Sequence, residues 1–157
     1  KCDGSSTEEL RTKLRSLNRG AEIIECSHRA RYLQNVFSTE RHPVEKLKDM
    51  AIVALSGIAA PEGFEQELAR LGAQVRGKER FADHHRYTQQ ELINIINRGL
   101  KAGASAIITT EKDAVRFPKL ERCAIPVFFL RVDIELLSGK EDFNACISRI
   151  CFRKTGN

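Results

Sequence analysis

Short apolar segments of strand length alternate with segments of helical periodicity along this chain, and this alternation constrains the fold more than any other feature. Residues 51–55 (AIVAL) are apolar throughout, which is typical of a central strand buried on both faces of a sheet. Other strand-like segments are residues 21–26, 74–81, 104–110 and 127–136. The alternation predicts an α/β fold with a mainly parallel sheet.

Capping residues and apolar spacing predict where the helices begin and which faces they bury. Two capping boxes are predicted, at Ser5 or Ser6 with Glu8 or Glu9, and at Thr88 with Glu91. The side chains predicted to face the core are Leu10, Leu14 and Leu17 in the first helix, Phe64, Leu68 and Leu71 in the second, Leu92, Ile93, Ile96 and Leu100 in the third, and Phe143, Ile147 and Ile150 in the last.

Composition and charge are those of a globular protein. Hydrophobic residues make up 41% of the 157 residues and charged residues 30%, which excludes a disordered or collagen-like chain. The longest apolar run, residues 50–61, is about half as long as a membrane-spanning helix must be. Lys and Arg number 26 against 21 Asp and Glu, and the resulting charge of +5 favours anionic partners.

The cysteines do not form a recognisable metal or disulfide pattern. There are five of them, an odd number, and no two are spaced as CxxC. Because structural zinc sites need closely spaced Cys or His pairs, we expect reduced thiols in a cytosolic protein and no metal site.

Three polar turns follow predicted strands directly. They are residues 57–61, the tripeptide Asp83-His84-His85, and residues 110–113. Because the carboxyl ends of parallel strands lie at one edge of a sheet, and ligands bind there in open α/β folds, we expect these turns to form the site.

The tripeptide Asp83-His84-His85 offers the most reactive chemistry. A carboxylate beside an imidazole can fix its tautomer and raise its basicity, so that the histidine could take a proton from a hydroxyl nucleophile. The alternative is a loop that enters a helix and carries surface histidines. The same three residues occur in a superfamily of manganese phosphoesterases, but the further Asp-rich motifs of that superfamily are absent from this chain.

The turn after the fourth predicted strand also has two interpretations. Thr110 could cap a helix whose first turn carries Glu111 and Asp113, or Lys112 could extend toward a phosphate at the sheet edge.

Four motifs occur in a fixed order: Lys1-Cys2-Asp3, Gly57-Ile58-Ala59-Ala60-Pro61-Glu62-Gly63-Phe64, Phe81-Ala82-Asp83-His84-His85-Arg86-Tyr87-Thr88, and Thr109-Thr110-Glu111-Lys112-Asp113-Ala114-Val115-Arg116. The first resembles the end of the [NT]KxD element by which many P-loop proteins hold a nucleotide base. Together the motifs resemble the C-terminal half of tetraacyldisaccharide 4′-kinase, the lipid A 4′-kinase of Gram-negative bacteria.

The resemblance implies a Rossmann-like three-layer α/β domain from a P-loop NTPase-related kinase. It implies transfer of the ATP γ-phosphate to the 4′-hydroxyl of a tetraacyldisaccharide 1-phosphate, at the cytoplasmic face of the bacterial inner membrane. ATP, Mg²⁺, the lipid precursor and the anionic membrane surface are the implied partners, and nucleic acid is not.

The resemblance also implies residue roles. His84 would be catalytic and Asp83 would orient it, while the nucleotide- or substrate-binding residues would be Lys1, Asp3, Gly57, His85, Glu111, Lys112 and Asp113. The family does not settle whether His84 or its neighbour His85 is the catalytic residue.

The chain also departs from the family pattern. It contains no GxxxxGK[ST] loop, so we expect it to be inactive alone and expect the Mg²⁺ ligands mostly in a separate N-terminal domain. The turn carries Ala59 and Ala60 where relatives often have Gly and Asn.

The expected organisation is a remnant of the N-terminal kinase domain over residues 1–26, an irregular connector over 27–49, and a C-terminal α/β domain over 50–157. The alternatives are a non-catalytic binding module of the same fold and a manganese phosphoesterase.

Overall fold

The structure, a computed structural model, describes residues 6–151. Its strands are β1 (Glu25–Asn35), β2 (Arg41–Pro43), β3 (Ala51–Ser56), β4 (Gln74–Arg80), β5 (Ala106–Thr110) and β6 (Val127–Ser138). Its α-helices are α1 (Glu8–Leu17), α2 (Pro61–Arg70), α3 (Gln89–Lys101), α4 (Glu111–Ala114) and α5 (Lys140–Cys151), and a 3₁₀ helix covers Val44–Leu47.

The described residues form two compact units. The central unit is Ala30–Val132, and the terminal unit consists of residues 6–29 together with residues 133–151. No helix in residues 6–151 is long and apolar enough to span a membrane.

The sheet of the central unit has the strand order β2-β1-β6-β5-β3-β4. β3 pairs in parallel with both β4 and β5, and β5 pairs in parallel with β6, whereas β1 and β2 are antiparallel. The mainly parallel α/β sheet predicted from the alternation of segments is therefore confirmed.

The central strand β3 divides the core into two layers. Ile52 and Ala54 pack in one cluster with Leu68 of α2, and Val53 and Leu55 pack in a second cluster that includes residues of α3. These four side chains of β3 are each at most 3% exposed. Residues 52–55 of the apolar run are therefore buried on both faces, as predicted, whereas Ala51 is half-buried, and helices cover the two faces of the sheet.

The region predicted as an irregular connector, residues 27–49, contains regular structure. β1 continues through it to Asn35, and Leu33 and Leu47 in this region are fully buried. The first strand thus lies at Glu25–Asn35 rather than at residues 21–26. Its polar composition concealed it, because pairing with β2 through Leu33 and His42 outweighs local propensity. The proposed domain limits at residues 26 and 49 stay predictions.

The third helix is close to its prediction. Thr88 and Glu91 form the complete capping box, and Leu92 and Ile96 are buried. Ile93 and Leu100 are instead partly exposed, and the core positions next to Leu92 and Ile96 belong to Ile95 and Gly99. The buried stripe therefore follows i, i+3, i+4 and i+7 from Leu92, shifted from the predicted set.

The apolar stripes of the terminal unit are not buried as predicted. Leu10, Leu14 and Leu17 of α1 are exposed, as are Phe143, Ile147 and Ile150 of α5. The predicted capping box of α1 also does not form: the cap position is Thr7, whose hydroxyl donates a hydrogen bond to the Glu25 carboxylate instead. Ser5 lies outside the described residues.

Candidate functional site

A buried carboxylate, Asp113, joins the three polar turns at the carboxyl edge of β3, β4 and β5. Its Oδ2 accepts hydrogen bonds from the Gly57 backbone N–H at 3.1 Å and from the Thr110 hydroxyl at 2.6 Å. Its Oδ1 accepts one from the Tyr87 hydroxyl at 3.2 Å. We call Asp113, Gly57, Thr110 and Tyr87 the Asp113 cluster. It joins the turns at residues 57–61 and 110–113 to the segment that follows the Asp83-His84-His85 turn.

Gly57 is required by the crowding around it. A Cβ at this position would lie 2.8 Å from Tyr87 Oη and 3.1 Å from both Ala82 O and Asp113 Oδ1. Contacts under 3.0 Å do not occur for real side chains without displacement of neighbours. The close approach of the backbone to Asp113 is therefore possible because residue 57 has no side chain.

Tyr87 stays protonated in its buried position. Burial raises the pKa of the Tyr87 phenol, and the neighbouring Asp113 carboxylate raises it further. The phenol ring packs edge-on against Phe81 and Phe117. Tyr87 therefore serves as a fixed hydrogen-bond donor to Asp113.

The turn that carries Asp83 and His84 is strained and tied to the Asp113 cluster. His84 has a φ of +63°, in the left-handed region that few residues other than glycine adopt, although histidine adopts it more often than most. Its backbone N–H donates to Gly57 O at 3.3 Å. The His84 side chain is 76% exposed. Strain of this kind persists where the surrounding structure enforces it, and it concentrates at functional sites.

His85 makes none of the contacts that its neighbour His84 makes. Its ring stacks on Phe81, with the ring centroids 4.5 Å apart, and its Nε2 lies 3.2 Å from Glu91 Oε1. Glu91 also accepts hydrogen bonds from the Thr88 backbone and hydroxyl, and these, with the nearby His85, lower the pKa of the Glu91 carboxyl. His85 is therefore an anchor between the loop and α3, whereas His84 is presented to the exterior.

Two charged groups lie next to the His84 ring. Its Nε2 is 3.7 Å from Asp83 Oδ2, and its Nδ1 is 2.8 Å from Nη2 of Arg116. The Nη1 of Arg116 lies 3.6 Å from Asp113 Oδ1. Arg116 thus connects the exposed imidazole to the buried carboxylate.

The family is established by comparison with known proteins. The family model described as LpxK, tetraacyldisaccharide-1-P 4′-kinase, matches residues 3–151. This chain belongs to that family. The resemblance inferred from the four ordered motifs is therefore confirmed.

Two curated members of the kinase family show the extent of the similarity. Tetraacyldisaccharide 4′-kinase of Anaeromyxobacter dehalogenans is 39% identical over 151 residues, which is 93% of this chain and 40% of the relative. The corresponding protein of Elusimicrobium minutum is 31% identical and covers 91% of this chain and 37% of its own length. The chain thus spans about 40% of the length of the curated relatives that it matches.

A solved structure from the same family supports the fold. The crystal structure of the "apo" form of LpxK from Aquifex aeolicus in complex with ATP matches with a TM-score of 0.52 and 21% sequence identity. The match covers 94% of this chain and 45% of that chain. At this identity the likeness supports the α/β fold.

The structure does not bring all of the residues predicted for the kinase site together. Glu111 is engaged by Arg131 of β6, whose Nη1 donates to both carboxylate oxygens at 2.7 and 2.8 Å. Lys112 is exposed on the short helix α4. Lys1 and Asp3 lie outside the described residues.

Tyr87 and Arg116 belong to the site but were not predicted as site residues, although both lie within the four ordered motifs. Tyr87 was not selected because its role depends on contact with Asp113, 26 residues away. Arg116 could have been found from its spacing, because it follows Asp113 by three residues and such pairs share a face of a helical turn.

Proposed function

We propose that this chain is part of an ATP-dependent kinase that phosphorylates the 4′-hydroxyl of a tetraacyldisaccharide 1-phosphate in lipid A biosynthesis. Membership of the kinase family over residues 3–151 supports this proposal. The observation that carries the assignment of roles is the contrast between the two histidines. His84 is exposed at the ligand edge of the sheet, whereas His85 is stacked and bonded to Glu91.

The proposed role of His84 is to act on the acceptor hydroxyl. An imidazole that accepts the hydroxyl proton as the oxygen attacks phosphorus contributes about 100-fold or more to turnover. The Asp83 carboxylate lies 3.7 Å from Nε2 of the His84 ring. It stabilises the positive charge on the imidazolium that forms when the ring takes the proton. In phosphoryl transfer a protein mainly positions groups and balances charge, so the Asp113 cluster contributes by holding the His84 turn in place.

ATP binding by the kinase is proposed from the relative that was crystallised with ATP. Within residues 6–151, no group of three or more His, Cys, Asp or Glu side chains is arranged to hold a metal ion. The described residues therefore provide no three-ligand cage of their own for Mg²⁺. Lys1 and Asp3 are proposed nucleotide contacts on the basis of the family motif.

The proposed site of action is the cytoplasmic face of the inner membrane. The substrate implied by the family is a lipid phosphate, and a basic protein is attracted to an anionic lipid surface. The charge of +5 supports such peripheral contact.

The decisive experiment compares two histidine variants in the kinase polypeptide that carries this chain. His84→Asn is the informative change, because asparagine tolerates a positive φ and should preserve the turn. We expect kcat for ATP-dependent 4′-phosphorylation to fall about 100-fold or more, with little change in the KM for the lipid and an unchanged melting temperature. His85→Ala is the matched control: it should lower the melting temperature through loss of the Phe81 and Glu91 contacts, and lower kcat less.

The opposite pattern would refute the assignment. If His84→Asn turns over like the wild type while His85→Ala abolishes transfer in a folded protein, His85 is the catalytic residue. If neither variant affects transfer, this edge of the sheet is not the reaction site.

A further inference from the structure

Arg116 occupies an unusual position between the exposed His84 ring and the buried Asp113. Its Nη2 is 2.8 Å from His84 Nδ1, and its Nη1 is 3.6 Å from Asp113 Oδ1. The Nη1 atom is buried and has no hydrogen-bond partner among the described residues. The guanidinium is therefore held by charge on the Asp113 side and makes its hydrogen bond on the His84 side.

The chemistry of arginine determines which nitrogen of His84 carries the proton. A guanidinium has only N–H donors and stays protonated in proteins, so His84 Nδ1 must accept this hydrogen bond. A neutral imidazole that accepts at Nδ1 carries its proton on Nε2. That nitrogen is the one on the Asp83 side, 3.7 Å from its carboxylate.

The other tautomer would be unsuitable for the proposed reaction. With the proton on Nδ1, the lone pair of the ring would lie at Nε2, facing the Asp83 carboxylate rather than an acceptor hydroxyl. With the proton on Nε2, the lone pair lies at Nδ1 and the carboxylate can stabilise the positive charge that develops. A wrong tautomer is sufficient to impair a catalytic histidine even when its geometry is intact.

We propose, on the basis of the function proposed above, that Arg116 is a positioning residue that holds His84 as the Nε2–H tautomer. The acceptor hydroxyl replaces the Arg116 N–H at Nδ1 and transfers its proton to this atom. The electron pair of the hydroxyl oxygen forms the bond to the γ-phosphorus of ATP, and the bond from that phosphorus to the ADP oxygen breaks. The charge of Asp113 keeps Arg116 beside the His84 ring. Arg116 thereby connects the Asp113 cluster to His84 Nδ1, the atom that takes the proton.

The first test measures the tautomer directly and needs no kinase activity. In this chain labelled with ¹⁵N-histidine, ¹⁵N chemical shifts at about pH 9, where an imidazole is neutral, report which nitrogen is protonated. We expect His84 to be the Nε2–H form in the wild type and a mixture of tautomers in Arg116→Met, which keeps the side-chain stem but removes the donor. Arg116→Lys retains a donor and should restore the Nε2–H form.

The second test uses turnover in the kinase polypeptide that carries this chain. We expect Arg116→Met to lower kcat about 10-fold with little effect on the KM for the lipid, and Arg116→Lys to recover most of this loss. Arg70→Met is the matched control, because Arg70 pairs with Glu67 at the far end of α2 and should leave kcat unchanged.

Each outcome decides between the two proposals or against one of them. An unchanged His84 tautomer in Arg116→Met overturns the role of Arg116, as does a kcat equal to or above that of the wild type. A parallel loss of kcat and melting temperature in both Arg116 variants indicates a structural role and also overturns it. If the tautomer shifts as expected but His84→Asn keeps full turnover, the catalytic role proposed for His84 fails while the Arg116 contact stands.

Discussion

At the scale of single residues, Asp113 joins parts of the chain that are far apart in sequence. The Gly57 N–H that it binds is 56 residues away, and the Tyr87 hydroxyl is 26 residues away. A buried carboxylate is costly unless its oxygens accept hydrogen bonds, and the Asp113 cluster supplies these bonds. The hydrogen bonds of this one side chain therefore require Gly57, Tyr87 and Thr110, from three separate segments, to be in place.

Gly57→Ala should test this assembly, because the added methyl group would lie 2.8 Å from Tyr87 Oη. We expect the free energy of unfolding to fall by about 1–3 kcal/mol, as for other overpacked sites. The measurement is urea unfolding of the chain. Gly20→Ala is the matched control, since its Cβ would meet only the Asn18 side chain at 3.6 Å, and it should change stability by about 0.5 kcal/mol or less. Equal stability of the two variants would contradict the crowding at Gly57.

At the scale of elements, the edge strand β4 is attached to α2 by a cluster of charges. Glu65 of α2 is buried and pairs with Arg80 Nε at 2.7 Å and with Lys78 Nζ at 2.8 Å. Hydrogen bonding by Arg80, reinforced by Lys78, lowers the pKa of the Glu65 carboxyl from 4.5 to about 2. Charged side chains on an edge strand such as β4 also disfavour its pairing with other chains.

The Glu65 pairs should make stability depend on pH in a defined window. Because the folded pKa lies below the ordinary value, the ionised pair stabilises the fold above about pH 4.5, and this contribution is lost as pH falls through about 2. At neutral pH we expect Glu65→Gln to lower the free energy of unfolding by about 1–2 kcal/mol, and the difference from the wild type to vanish near pH 2. Urea midpoints measured across this range provide the test.

Glu67→Gln serves as the control for Glu65, because its partner Arg70 is 69% exposed and such pairs contribute little. It should change stability by about 0.5 kcal/mol or less at every pH. A Glu65→Gln difference that persists unchanged at pH 2 would show that the loss comes from packing rather than from ionisation.

Some elements of the fold and site could be predicted from the sequence, and others could not. The buried strand at residues 52–55, the capping box of Thr88 and the placement of Asp83 and His84 at the carboxyl edge of the sheet follow from local patterns, and the structure contains all of them. The polar strand β1 and the Arg116–His84 contact depend on pairing between distant residues. Local composition carries no record of such pairs, so these features appear only in the folded chain.

At the scale of the whole molecule, the two units differ in how their helices are stabilised. In the central unit, α3 buries four residues against the sheet, including Ile95 and Ile96. In the terminal unit, none of the described residues of α1 or α5 is buried. Helices of this length gain most of their stability from packing, so burial should govern how often each of them opens.

Native-state hydrogen exchange of the chain should reveal this difference. Amides of β3, which is paired on both sides, should exchange most slowly, and those of α1 and α5 should exchange at least about a thousandfold faster. Helix α3 is the matched control, because one of its faces is buried. Its amides should be protected from exchange nearly as well as those of β3. Equal protection of α1 and α3 would mean that the exposed apolar stripes of the terminal unit, such as Leu10 and Leu17, are covered in solution.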